Sequence, residues 1–135
     1  MEDCIFCKIA SGEIPATKIY ENDVALSFLD LHPVSPGHTL IIPKKHYENL
    51  LTVPENDLKD IMSAVQKTAK AVMKGMQVEG FNLAQNNGAV SGQAIFHLHF
   101  HIIPRKEDDG LEHWPHKDYS DGEEKEISEK IKSNL

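Results

Sequence analysis

The apolar residues of this chain fall into two rhythms. Between residues 54 and 76, Leu58, Ile61, Met62, Val65, Val72, Met73 and Met76 recur at steps of three and four, which winds them onto one face of an α-helix. This Met-containing stripe is expected to pack in a core. Thr52 is expected to cap the helix, with Pro54 and Glu55 in its first turn. Elsewhere the apolar runs are short and bounded by Gly, Pro and Asn, as strands are. Segments 17–20 and 24–29 flank the turn Glu21-Asn22-Asp23, and segment 38–42 is entered through Pro36-Gly37 and stopped by Pro43. Segment 81–85 follows Gly80, and segment 95–103 is stopped by Pro104. Residues 4–10 read as a short helical turn closed by Ser11-Gly12. Strands in hairpin-like order around one long helix predict an α+β fold with an antiparallel sheet.

The pattern changes after Ile103, where RKEDDG and then GLEHWPHKDYSDGEEKEISEKIKSNL are polar. The chain therefore divides into a folded body, 1–104, and a C-terminal extension, 105–135. In the extension, Ile127, Ile131 and Leu135 stand four apart, consistent with a short amphipathic helix whose charged side is solvated. Trp114 lies with His113, His116 and Tyr119 in a Pro/Gly-containing loop.

At 135 residues the chain is one domain, large enough to bury a core without covalent staples. The net charge of −7 argues against a broad nucleic-acid-binding surface but leaves room for one small phosphate pocket. No apolar run is long enough to cross a bilayer, and the acidic opening MEDCIFC lacks the features of a secretory signal, so a cytoplasmic location is expected. Two cysteines three residues apart are too few for a disulfide framework.

The chemistry concentrates in Phe96-His97-Leu98-His99-Phe100-His101-Ile102-Ile103. On a strand, alternate side chains share a face, so His97, His99 and His101 line one side, about 6.6 Å apart, while Leu98, Phe100 and Ile102 take the other. Imidazole, mostly neutral near pH 7, serves as nucleophile, proton carrier or metal ligand. The loop just upstream, Asn86-Asn87-Gly88-Ala89-Val90-Ser91-Gly92-Gln93, offers amide donors and glycines for close backbone approach. That setting favours phosphate chemistry without a catalytic metal over a three-histidine metal cup.

HLHFHII, together with NNGAVSGQ, GHTLIIPKKH, FLDL and CIFCKI, resembles the histidine triad (HIT) family of nucleotide-binding hydrolases, in its bacterial and archaeal branch, over about residues 3–104. The resemblance implies a HIT-like antiparallel sheet with one long and one short N-terminal helix, its sheets joined across a homodimer. It implies hydrolysis of purine nucleotides, AMP or GMP leaving its partner group through a nucleotidyl-histidine intermediate, as in an adenosine phosphoramidase. By position, His99 would be the nucleophile, His101 would contact the phosphate and assist proton delivery, and His97 would order the site. Asp30 would bind the ribose hydroxyls, Leu31 would stand beside the base, and Asn86, Gly92 and Gln93 would line the phosphate. Ala94 occupies a position where eukaryotic relatives carry a serine that helps the leaving group. The extension would reach toward the partner's site. Rival readings are a dinucleoside polyphosphate hydrolase and a zinc-stabilised nucleotide-binding protein with little turnover.

Cys4-Ile5-Phe6-Cys7 alone is ambiguous between half a zinc site, a redox pair and two buried thiols. His46, following the 38–42 strand, is placed to approach it, and in several relatives the fourth ligand is the first histidine of the triad, here His97. Structural Zn²⁺ on Cys4, Cys7, His46 and His97 is therefore expected, leaving His99 and His101 free of metal.

Overall fold

A five-stranded sheet lies between two layers of apolar side chains, one supplied by a long helix and the other by a helix of six residues. The computed structural model describes residues 3–135, so the first two residues of the expected body lie outside it. The elements run α1 (Ile5–Ala10), β1 (Lys18–Glu21), β2 (Ala25–Leu29), β3 (Thr39–Pro43), α2 (Glu55–Met76), β4 (Gly80–Ala84), a 3₁₀ turn (Ala89–Ser91), β5 (Phe100–Arg105) and α3 (Glu123–Lys132). The strand order is β1-β2-β3-β5-β4, antiparallel throughout.

On one face, Ala25, Ile41, Leu98, Phe100 and Ile102 pack against Ile61, Ala64, Val65, Ala69 and Val72 of α2. On the other, Leu26, Phe28, Leu40 and Ile42 pack against Phe6 and Ile9 of α1. With both faces covered, β3 is buried at every position and β2 at all but its last, so neither shows polar alternation. The hydroxyls of Ser27 and Thr68, buried between β2 and α2, hydrogen-bond each other at 2.6 Å.

Four local expectations are corrected. Thr52 does not cap α2: Pro54 holds the N-cap in extended backbone, and Thr52 Oγ1 instead donates to the carbonyl of Asn49. Met62 is not core, being 36% exposed; with Met73, Phe81 and Leu83 it lines a groove between α2 and β4. The last strand begins at Phe100, not residue 95. Extending the β3–β5 register would set Pro43 opposite Leu98, but proline has no N–H for the ladder. The Leu98 amide donates to the Tyr47 carbonyl instead. Nor does Pro104 stop that strand, which continues to Arg105. β3 pairs with β5 only as far as Ile102, so at Pro104 the strand has β4 alone as a neighbour.

Beyond the sheet, the guanidinium of Arg105 clamps the chain back, donating to Asp109, to the Leu111 carbonyl and to Asn82. Trp114 is 85% exposed and α3 buries no residue. No helix among the described residues is long and apolar enough to cross a membrane.

Candidate active site

Only His101 of the three clustered histidines lies on β5; His97 sits in a bend and His99 in the irregular residues that lead into the strand. Their side chains nevertheless gather on the α1 side of the sheet. The Phe6 ring meets His97 edge-on at 5.9 Å and His99 at 5.1 Å, and the His99 and His101 rings stand 5.0 Å apart. Leu98, Phe100 and Ile102 point into the α2 core, as alternation requires.

The hydrogen bonds fix which nitrogen of each neutral ring carries its proton. Nε2 of His97 faces the carbonyl of Pro43 at 2.8 Å. A carbonyl only accepts, so Nε2 holds the proton and Nδ1 is bare. Nδ1 of His99 faces the carbonyl of His97 at 2.8 Å, so there Nδ1 holds the proton and Nε2 is bare. The amide of Val34 donates to Nδ1 of His38 at 3.0 Å, which puts the His38 proton on Nε2. That Nε2 lies 2.9 Å from Nδ1 of His101, so His38 donates and His101 keeps its own proton on Nε2.

Burial enforces the neutral forms. It is the main cause lowering the pKa of all four rings, with neighbouring imidazoles adding to the effect at His97 and His101, which fall to about 4. The Asp30 carboxylate, 3.7 Å from His38 Nε2, opposes the shift without reversing it.

His99 and His101 open into a cavity of about 710 Å³. Ile5, Phe6, Ile9, Ile14, Phe28 and Leu40 make its apolar end, while Asp30, Leu31, Asn86, Gly92 and Ala94 also line it. Among the described residues, no lysine or arginine contributes to this wall. Leu31 sits 81% exposed at its edge. Asp30 accepts the amide of His32 at 2.8 Å, which anchors the turn that carries it. Gly92 has φ +100 and stands against Asn86, a backbone shape that favours glycine. Gln93 does not line the cavity. It is 3% exposed, and its amide bridges the Gly88 amide to the carbonyls of Glu48 and Ile95, bracing the loop from within.

A second cluster adjoins the first. Cys4 Sγ is 3.4 Å and Cys7 Sγ 3.5 Å from the bare Nδ1 of His97, and Cys7 Sγ is 3.3 Å from Nδ1 of His46. All four donor atoms lie within 4.8 Å of one another. Tetrahedral zinc with ordinary Zn–N and Zn–S bonds needs N···S edges of about 3.6 Å, so two thiols and two imidazoles at these separations fit the ion. Burial and the adjacent Cys4 push the Cys7 thiol up. Asp30, His38 and His101 also converge. They suit a metal poorly, because ligation through His38 Nε2 would move a proton to Nδ1, against the Val34 amide.

His38, Val34 and Phe6 were not singled out in the sequence. The signal for His38 was its parity with Leu40 and Ile42 in HTLII, which puts it on the cavity side.

Known proteins resemble this chain in sequence and in fold. Adenylylsulfatase HINT3 of Arabidopsis thaliana is 50% identical over 109 residues, covering 81% of this chain and 55% of that protein. Adenosine 5'-monophosphoramidase hnt1 of Schizosaccharomyces pombe is 41% identical over 134 residues, 98% of each chain. The crystal structure of a HIT family member from Bacillus subtilis superposes with a TM-score of 0.91 at 40% identity, covering 98% of this chain and 97% of that one. The HIT domain model matches residues 11–108, and the chain belongs to the HIT family.

Proposed function

We propose that the chain hydrolyses purine nucleoside monophosphate derivatives at the α-phosphorus, with His99 as nucleophile. The observation that carries this is His99 on the wall of a cavity large enough for a nucleotide, with Nδ1 held by the His97 carbonyl and Nε2 left bare. The base packs between Phe6, Ile9, Ile14 and Phe28, beside Leu31, and Asp30 accepts from the ribose hydroxyls. Asn86 and the backbone at Gly92 hold the phosphate. Nε2 of His99 attacks phosphorus as the bond to the leaving group breaks, and Nε2–H of His101 gives its proton to the departing atom, to be regained from the water of the second step. Water then displaces His99, releasing AMP or GMP and restoring the free imidazole. Gln93 acts at one remove, by bracing the loop.

The names of the relatives, a monophosphoramidase and an adenylylsulfatase, support attack at a single nucleotide phosphate. A polyphosphate leaving group would bring several negative charges to a wall with no lysine or arginine, so the dinucleoside polyphosphate reading is the weaker one. Zinc on Cys4, Cys7, His46 and His97 would supply a structural clip joining α1 to the triad. No step of the reaction passes through it. We place the chain in the cytoplasm, where its two free thiols would persist. We read it as a homodimer joined along the open edge of β4, where Phe81, Leu83, Met62 and Met73 form an uncovered apolar groove.

Incubation with adenosine phosphoramidate should yield AMP in the wild type and none with His99→Ala. Wild-type protein that binds AMP without turnover would favour the rival reading, a zinc-stabilised nucleotide-binding protein with little turnover. Metal analysis should find one zinc per chain, lost in Cys4→Ser/Cys7→Ser, and light scattering should give twice the chain mass. Zinc that survives the double substitution, or a monomer, would remove those parts separately.

A further inference from the structure

Cys4 and Cys7 bracket the residues that wall the nucleotide cavity. Ile5 and Phe6 lie between them, and the Phe6 ring touches both His97 and His99. The two sulfurs lie within 4.8 Å of each other, and both residues are half-buried, within reach of a small oxidant. Cys4 is the N-cap of α1 in extended backbone, φ −85 and ψ 113, and its Sγ accepts the Cys7 amide at 3.4 Å, so drawing that sulfur into a disulfide disturbs the first turn of the helix. A bond of about 2.0 Å between them removes both S–H groups, and with them the hydrogen that either sulfur can offer the imidazoles it now faces.

We propose that Cys4 and Cys7 are a reversible dithiol–disulfide switch, closed by a hydroperoxide, that withdraws both sulfur donors from His46 and His97 and loosens the α1 wall of the nucleotide cavity. The chemistry balances with that one co-reactant. The two thiols lose two electrons and two protons as the S–S bond forms, and the peroxide takes both as its O–O bond breaks, leaving as water and an alcohol, or as two waters from hydrogen peroxide. If zinc holds the thiolates, the same two-electron step ejects it. Only that ejection, and the AMP measurement below, rest on the proposed function. His97 Nδ1 is then left without its partner in a buried place, and α1 is held by the packing of Phe6, Ile9 and Ala10.

The test titrates the full-length protein with hydrogen peroxide. Intact mass should fall by about 2 Da as the disulfide forms. Any bound zinc should appear with a chromogenic chelator, and hydrogen exchange at residues 5–10 should quicken. AMP affinity by calorimetry should weaken about tenfold, as when a metal's outer partners are lost. Dithiothreitol with zinc should reverse every change. Oxygen adducts in place of the disulfide, or a disulfide that leaves both exchange and AMP affinity unchanged, would overturn the switch. Protein that carries no zinc would overturn the zinc reading alone, with mass and exchange still deciding the switch. Reduced protein that binds no AMP would overturn the nucleotide reading, again leaving mass and exchange to decide.

Discussion

His99 donates its Nδ1 proton to the backbone carbonyl of His97 at 2.8 Å, so the residue nearest the cysteine cluster sets the tautomer of the residue that faces the cavity. Because the acceptor is main chain, no side-chain substitution at position 97 removes it directly. It moves only if the segment from residue 95 to 99 moves.

His99→Ala removes the attacking nitrogen and leaves the cavity wall intact. Turnover of adenosine phosphoramidate should fall by at least about a thousandfold, while AMP still binds within a few-fold of wild type. Single-turnover kinetics beside calorimetry separates the two. Comparable residual turnover would mean that another group attacks.

His38→Ala leaves His101 without the donor that holds its proton on Nε2. We expect kcat to drop about 10–100-fold with KM little changed, because His38 touches no substrate but orients the ring that does. His38→Gln, which restores a donor, should recover part of the loss. An unchanged kcat would show that His101 orients itself.

Acid should destabilise the fold over a defined window. His97 and His101 have folded-state pKa values of about 4, against 6.5 for the free side chain. Between those values the unfolded chain binds protons that the folded one refuses. Stability from these rings is therefore complete above about pH 6.5 and is lost progressively as pH falls toward 4. Melting temperatures of chelator-treated protein should drop through that interval, and His101→Asn should flatten the drop. A flat profile would mean that the rings are not desolvated.

Leu98→Ala empties a fully buried position in the α2 core, on the residue that joins His97 to His99. The expected loss is about 2–5 kcal/mol by denaturant titration, with turnover falling as well because its neighbours shift. Ile61→Ala, on α2 and far from the cavity, should lose similar stability and keep its kcat.

The architecture was largely legible because its signals are periodic. The three-and-four spacing from Leu58 to Val72 and the alternation from Leu98 to Ile102 each specify which side faces inward, and the chain obeys both except at Met62. Boundaries were less legible. Pro104 reads as a stop because proline breaks central strands, yet it sits where β3 has already ended, a fact of sheet order rather than of local sequence. Met62 shares the helical period of the core but lies toward β4, where an apolar side chain meets solvent in a single chain. Within the site, position in the chain could not reveal that Gln93 braces its loop from within, nor that the Val34 amide orients His38. Both depend on contacts between segments that the fold alone brings together.

The wall formed by Phe6 has a consequence for biosynthesis. This ring leaves the ribosome roughly ninety residues ahead of the imidazoles it will touch, since Cys4 and His97 are 93 positions apart. A growing polypeptide can seat this ring on Phe28 early, but the imidazole side of the cavity is missing until its last strand is made, and nucleotide offered to stalled nascent chains should be captured only once that strand has cleared the exit tunnel.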